Sequence, residues 1–91
     1  MTTTSFDLKV LTPSKTLASV TAKSVMLPGT EGYMTILPDH ASMIAELGPG
    51  EVAIEGQANE HYVISGGYIE VDHNRVTILV DSIEKSNQVK N

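Results

Sequence analysis

The sequence predicts a single all-β domain, folded as one β-sandwich or flattened barrel of about eight to ten short strands. One observation is the alternation of apolar and polar residues, which recurs with a period of two in many short runs. The other is the spread of prolines, which stand ten to fifteen residues apart and leave little room for a long helix in the first fifty residues. These prolines are Pro13, Pro28, Pro38 and Pro49.

The first half of the chain contains four strand candidates, at residues 6–10, 17–20, 24–27 and 34–37. In the first of them, Phe6, Leu8 and Val10 fall on one face of an extended chain. The second is weaker, because its apolar residues flank small ones. The fourth ends at Pro38, since the residue that precedes a proline is held in extended geometry.

The second half has strand candidates at residues 43–47, 51–55, 61–64, 68–71 and 76–80. A hairpin turn at residues 72–75 joins the last two. The last strand is apolar on both faces, which predicts a central strand buried from both sides. Residues 81–88 are polar and mildly helical, and form either a single helical turn or a frayed tail. The expected boundaries are a β-sandwich domain at residues 1–84 and a polar tail at residues 85–91.

Composition excludes several classes of function. The formal net charge is −5 and the six basic residues are scattered, which argues against nucleic acid or an anionic membrane surface as a direct ligand. The chain has no cysteine, so disulfides, thiolate metal sites and cysteine nucleophiles are excluded. No apolar run is long enough to span a membrane, and the N-terminus lacks a signal-peptide pattern, which predicts an intracellular protein. The acidity suits either solubility or loops that face a basic protein partner.

The three histidines each follow an acidic residue, but neighbours along a strand point to opposite faces and do not form a dyad. We expect His61, in a strand, and His73, in a turn, to be solvated. Their spacing matches no short metal-ligand motif. His40 either bonds the backbone of the loop at residues 29–32 or contacts a partner protein.

No catalytic or nucleotide-binding motif is present. Ser65 precedes a pair of glycines, as in a nucleophile elbow, but the following residues are strand-like and not helical. Gly66 and Gly67 more plainly indicate a bend, a bulge or the close approach of another backbone. The glycine-flanked loop at residues 29–32 carries an acid and no lysine, so we expect no nucleotide and no cofactor. The residues favour an acidic β-sheet interaction module, with methionines and tyrosines suited to protein contacts.

Three motifs together resemble a known family. They are FDLKVLTP from Phe6, LPGTEGYMTILPDHASM from Leu27, and SGGYIEVDHNRVTILVDS from Ser65. In this order and at this spacing they are similar to the N-terminal β-sandwich domain of the epsilon subunit of F-type ATP synthases. Thr35 and Asp39 replace common glycines of the family, and Ser42 replaces a common proline. Family members usually continue into a C-terminal helical hairpin, which is absent here, so the chain is either a short form or truncated.

The resemblance implies a non-catalytic subunit of the central stalk, or rotor, which docks the gamma subunit to the ring of c subunits and supports coupling of proton transport to ATP synthesis. It implies contact with the membrane only through these partners, at the cytoplasmic face of a bacterial inner membrane or the equivalent organelle side. Inhibition of ATP hydrolysis belongs to the helical hairpin and is not expected of this chain. The alternatives are a generic β-sandwich adaptor and a small enzyme that uses His40 with Asp39 or Ser65.

The resemblance also assigns partner contacts to particular residues. The loop expected to face the c ring comprises Thr30, Glu31, Gly32 and Tyr33, with His40 near the same end. The segments expected to face the gamma subunit contain Met43, Gly66, Gly67 and Tyr68.

Overall fold

Every regular element that the structure describes is a β-strand. The computed structural model describes residues 4–57 and 59–85. Within these ranges nine strands follow one another, which confirms the all-β prediction, and no helix there is long and apolar enough to cross a membrane. The strands are β1 (Phe6–Thr12), β2 (Lys15–Gly29), β3 (Gly32–Ile36), β4 (Met43–Leu47), β5 (Gly50–Gly56), β6 (Glu60–Ile64), β7 (Gly67–Asp72), β8 (Arg75–Val80) and β9 (Ile83–Lys85).

The strands form one continuous sheet that folds over on itself. Its order is β1-β8-β7-β4-β2-β5-β6-β9, with β3 paired to β2 and a further pairing between β1 and β2. All pairings are antiparallel except that of β1 with β8, which is parallel. One layer of the sandwich contains β1, β8, β7 and β4 with the first half of β2, and the other contains β3, β5, β6 and β9 with its second half. Side chains from both layers meet in a single core.

The long strand β2 connects the two layers. Its first half pairs with β1, and its second half pairs with β3 and β5. The register with β5 shifts between Ala22 and Ser24, and such irregularities bend a strand and increase its twist. The two strand candidates at residues 17–20 and 24–27 are thus one strand with a bend between them.

The core follows the predicted alternation. Its members are almost all aliphatic, and each layer contributes the inward-facing residues of its strands. No polar or charged side chain among the described residues is buried to the same extent. Full burial of one large apolar side chain contributes about 1.5–3 kcal/mol to folding, so the domain is stabilised mainly by apolar packing. The core comprises Phe6, Leu8, Val10, Ala22, Val25, Leu27, Ile36, Leu47, Val52, Ile54, Tyr62, Ile64, Ile69, Val71, Val76, Ile78 and Val80.

Tyr62 is a hydrophobic member of this core that also carries a hydroxyl group. Its hydroxyl donates a hydrogen bond to Oε1 of Glu60, two residues earlier on the same face of β6. Burial raises the pKa of Tyr62 to about 12, and the hydrogen bond and negative charge of Glu60 act in the same direction.

Strand β8 departs from its prediction. It is central in the hydrogen-bonding sense, between β1 and β7, but only one of its faces is covered. Leu79 points away from the core and is 43% exposed. The prediction of burial from both sides is wrong, because a layer of a two-layer sandwich has one face against the core and one face outside.

The segment at residues 81–88, which was predicted as a helical turn or a frayed tail, contains the strand β9 instead. Ile83 pairs with Ile64, and its side chain packs against the core. The free edge of β6 offers unpaired backbone groups, so an added strand satisfies more hydrogen bonds than an isolated helical turn does. The predicted domain boundary at residue 84 falls inside this strand. Residues 86–91 of the predicted tail lie outside the described residues.

Candidate functional site

The loop between β2 and β3 is exposed at one end of the sandwich. Thr30, Glu31, Gly32 and Tyr33 all lie at the surface, as expected for a contact loop. The backbone N–H of Thr30 donates a hydrogen bond to the carbonyl of Glu46 at 3.3 Å, which ties the loop to β4. The Tyr33 hydroxyl accepts a hydrogen bond from the backbone N–H of Glu51 at 3.0 Å, so that hydroxyl is engaged within the domain. Glu31 is thus carried on a loop anchored at both sides.

Next to this loop lies an exposed apolar surface on the outside of one layer. We call it the β4–β7–β8 face and define it by Ile44, Glu46, Tyr68, Glu70 and Leu79. Ile44 is 74% exposed and Tyr68 is 54% exposed, and Leu79 adds to them. The strand register sets Tyr68 between Glu46 and Leu79, and sets Ile44 opposite Glu70. The result is an apolar surface in which two carboxylates are interspersed.

The predicted contact residues lie at two opposite ends of the sandwich. His40 does not lie near the Thr30–Tyr33 loop, and that part of the prediction is wrong. The strands β3 and β4 run between the two ends, and five extended residues span about 13 Å. His40 Nδ1 is 2.8 Å from the carbonyl oxygen of Ala41, and its backbone N–H donates to Leu37, so it does not bond the residue 29–32 loop either.

Three other predicted contacts are partly or fully buried. Met43 lies at the far end of β4 from the Thr30–Tyr33 loop, and its side chain packs against the core. Gly66 and Gly67 are buried, and Asp81 donates its backbone N–H to the carbonyl of Gly66 at 3.1 Å. Of the residues assigned to the gamma contact, Tyr68 is the one whose side chain is exposed.

Sequence reasoning missed the two most informative residues of the β4–β7–β8 face, Ile44 and Leu79. The signal for Ile44 was present. Once Met43 and Leu47 are assigned to the inside of β4, alternation sends Ile44 to the outside. For Leu79 the same alternation, begun from Val76 and Ile78, indicates the outer face, and the continuous apolar run concealed it.

The remaining candidates do not form a reactive centre. His73 is solvated as predicted. Nδ1 of its ring also contacts the Asp72 carboxylate, because a turn can bring adjacent side chains together whereas a strand holds them on opposite faces. His61 is half-buried and its Nδ1 has no hydrogen-bond partner among the described residues, so the prediction of a solvated ring is wrong. The Ser65 hydroxyl oxygen accepts a hydrogen bond from the hydroxyl of Ser82 at 2.9 Å. In the described part of the chain, no group of three or more His, Asp or Glu side chains is arranged to hold a metal ion.

Comparison with known proteins identifies the family. Residues 5–86 match the model of the ATP synthase delta/epsilon chain β-sandwich domain, which is most of the chain. The chain belongs to the ATP synthase delta/epsilon family. The resemblance seen in the three sequence motifs is therefore confirmed, and so is the β-sandwich fold that it implied.

Relatives within the delta/epsilon family come from bacteria and chloroplasts. The chain is 36% identical over 87 residues to the ATP synthase epsilon chain of Moorella thermoacetica. The aligned region covers 93% of this chain and 65% of that relative. It is 40% identical over 82 residues to the chloroplastic epsilon chain of Trieres chinensis, covering 87% of this chain and 60% of the relative. For the epsilon chain of Magnetococcus marinus the identity is 43% over 76 residues, covering 82% and 56%. The chain thus spans less than two thirds of the length of these relatives.

Two solved structures share the fold. A chain of the Euglena gracilis mitochondrial ATP synthase structure, which contains OSCP, F1 and the c-ring, superposes with a TM-score of 0.86 at 22% identity, covering 97% of this chain and 57% of that chain. A chain of the Tetrahymena thermophila mitochondrial ATP synthase central stalk and c-ring gives a TM-score of 0.75 at 18% identity, covering 92% and 72%. At these identities the superpositions establish a common fold.

Proposed function

We propose that this chain is a non-catalytic subunit of the central stalk of an F-type ATP synthase, where it docks the gamma subunit to the c-subunit ring. The observation that carries the proposal is the β4–β7–β8 face, an exposed apolar surface on a member of the delta/epsilon family. Its β-sandwich is a packed body in which the described residues form no reactive centre, and this suits a part that transmits torque and supports coupling of proton transport to ATP synthesis.

The β4–β7–β8 face is the docking surface for the gamma subunit. Clustered exposed apolar side chains on a small soluble domain mark a protein interaction surface, and tyrosine is enriched at such interfaces. Ile44, Tyr68 and Leu79 supply the apolar contact. Glu46 and Glu70 stand beside them, so the complementary surface of the gamma subunit carries basic groups that pair with these carboxylates.

The Thr30–Tyr33 loop is the contact with the c ring. Glu31 stands at its exposed tip, where a carboxylate keeps its hydration until a partner replaces it. Glu46 belongs to the β4–β7–β8 face and also accepts the hydrogen bond that anchors this loop, so the two docking surfaces adjoin at one residue. The subunit meets the membrane only through its partners, at the cytoplasmic face of a bacterial inner membrane or the equivalent organelle side.

A pair of matched substitutions tests the gamma contact. Ile44 and Val63 are both exposed aliphatic residues on outer faces of the sandwich, one on each layer. Lysine at position 44 lies opposite Glu70, and lysine at position 63 lies opposite Glu51 and Glu84, so both variants retain a favourable cross-strand neighbour. We expect I44K to weaken binding to the purified gamma subunit by tenfold or more, and V63K to leave it unchanged.

Two results would contradict the proposal. If I44K and V63K bind the gamma subunit as the unmodified chain does, the β4–β7–β8 face is not the docking surface. If the unmodified chain itself fails to bind the gamma subunit, the proposed place in the central stalk is wrong.

A further inference from the structure

Two loops at the His40 end are joined by a reciprocal pair of hydrogen bonds. Asn74, in the turn between β7 and β8, accepts a hydrogen bond through Oδ1 from the backbone N–H of Asp39 at 2.7 Å. Its Nδ2 donates to the carboxylate Oδ1 of Asp39 at 2.8 Å. One amide side chain thus satisfies both the backbone and the side chain of a residue in another loop. We call this pair of hydrogen bonds the Asp39–Asn74 latch.

The backbone conformation explains why these two residue types are needed. Asp39 has a φ of 64° and Asn74 a φ of 60°, in the left-handed region that most residues avoid. Asparagine and aspartate enter this region more readily than other residues that carry a Cβ, because their short side chains form local hydrogen bonds. The replacement of a common family glycine by Asp39 is therefore compatible with the loop. Compared with glycine, the aspartate gives up conformational freedom and gains one hydrogen bond, from Nδ2 of Asn74 to its carboxylate, because the other bond uses the backbone N–H that glycine also has.

The latch connects three parts of the chain. The Asn74 carbonyl accepts a hydrogen bond from the backbone N–H of Asp7 at 3.0 Å, which ties the turn to the start of β1. Through Asp39 it also holds residues 37–42, the loop that carries His40 and leads directly into β4. A shallow depression of about 340 Å³ lies between the two loops, with His40 on one side and His73 on the other.

We propose that Asn74 and Asp39 are positioning residues that keep the residue 37–42 loop in one conformation, so that the start of β4 and the His40 end of the docking surface are formed before the gamma subunit binds. The inference rests on the proposed function of the β4–β7–β8 face. Ile44 is the second residue of β4, two positions beyond this loop, so it reaches its place opposite Glu70 only when the loop delivers the chain to β4 in the observed register. A surface ordered in advance loses less conformational freedom on association than one ordered by its partner.

The chemistry of the latch allows a reciprocal exchange of residues. N74D places a carboxylate against the Asp39 carboxylate, which removes the donor and adds charge repulsion. D39N/N74D restores an amide that donates to a carboxylate, with the two residues exchanged. D39N alone keeps an oxygen acceptor at position 39 and leaves both hydrogen bonds in place. All three variants retain residues that tolerate the left-handed conformation.

The test measures amide hydrogen exchange and gamma binding in the 91-residue chain. The reporter is the His40 amide, which bonds Leu37 within the loop at 3.2 Å, and the reference is the amide of the core residue Ile78. We expect N74D to accelerate exchange of His40 about tenfold relative to Ile78, and to slow association with the gamma subunit. D39N and D39N/N74D should match the unmodified chain in both measurements.

Each outcome separates the latch from the proposed function. If the unmodified chain binds the gamma subunit but N74D leaves His40 exchange unchanged, the latch does not order the loop and the inference is overturned. If exchange accelerates and gamma binding stays the same, the latch orders a loop that has no part in docking, which also overturns it. Failure of the unmodified chain to bind gamma counts against the proposed function instead, while the exchange data still report on the latch.

Discussion

Alanine at position 67 is the substitution whose effect the structure defines most sharply. A Cβ built on Gly67 lies 2.1 Å from the carbonyl oxygen of Leu79 and 2.9 Å from the Cα of Val80. Ordinary contacts between such atoms are longer than 3 Å, so β7 and β8 must separate by about 1 Å at this point. The φ of 155° at Gly67 adds a backbone conformation that side chains rarely adopt. The start of β7 therefore requires glycine for two independent reasons.

The magnitude follows from these two effects. Forcing an extra carbon into a packed interior costs about 1–3 kcal/mol, and the contact here is with backbone, which has no alternative rotamer. With the conformational cost added, we expect G67A to lower the free energy of unfolding by about 3 kcal/mol or more. For a domain of this size that corresponds to a fall in melting temperature of about 12–24 °C. Thermal and urea denaturation of the purified chain measure it.

A second glycine supplies the control. Gly32 has a φ of 132°, and a Cβ built there meets no heavy atom within 4 Å. G32A thus isolates the conformational cost, which we place at about 1–2 kcal/mol. At Gly66 the nearest atom, the Leu47 carbonyl oxygen, is 3.4 Å away, so G66A belongs with the control. If G67A is no more destabilising than G32A, the strands accommodate the methyl group and the argument from close approach is wrong.

The other predictions concern the contact loop and alkaline pH. E31A should change the free energy of unfolding by less than about 0.5 kcal/mol, because the side chain is exposed, and should weaken association with detergent-solubilised c ring. A large fall in melting temperature would assign Glu31 a structural role. Since the pKa of Tyr62 is raised to about 12 in the folded chain, against about 10 when unfolded, the stability it contributes is complete below pH 10 and is lost as pH rises toward 12. Denaturation midpoints from pH 9 to 12 should show this decline, and Y62F should remove most of it.

Much of this fold could be predicted from sequence because alternation reports directly on burial. Phe6, Leu8 and Val10 of β1, which the period of two sets on one face, are all buried in the core. What failed depended on the pairing of distant segments. Ile83 is in a strand because β6 has a free edge, and no property of the local sequence at residues 81–88 contains that information.

For the docking residues too, the sequence reports local exposure but not the features that depend on contacts between distant segments. Exposure of Glu31 and Tyr68 could be inferred locally, from glycine neighbours and alternation. The position of His40 could not, because it depends on the direction in which β3 carries the chain away from the Thr30–Tyr33 loop. Asn74 drew no attention in the sequence for a related reason. Its partner is 35 residues away, and only the folded turn aims its amide at Asp39.

The parallel pairing of β1 with β8 bears on how the domain forms during synthesis. Asp7 is in register with Arg75 and Leu11 with Leu79, so β1 is hydrogen-bonded to a strand that is synthesised more than sixty residues after it. Until β8 has emerged from the ribosome, β1 pairs with β2 alone and its other edge stays unpaired. The layer that bears the β4–β7–β8 face closes only after β8 has left the exit tunnel. In a nascent chain halted before that point, β1 and β7 should remain sensitive to protease, and their protection should arise once β8 is free to pair.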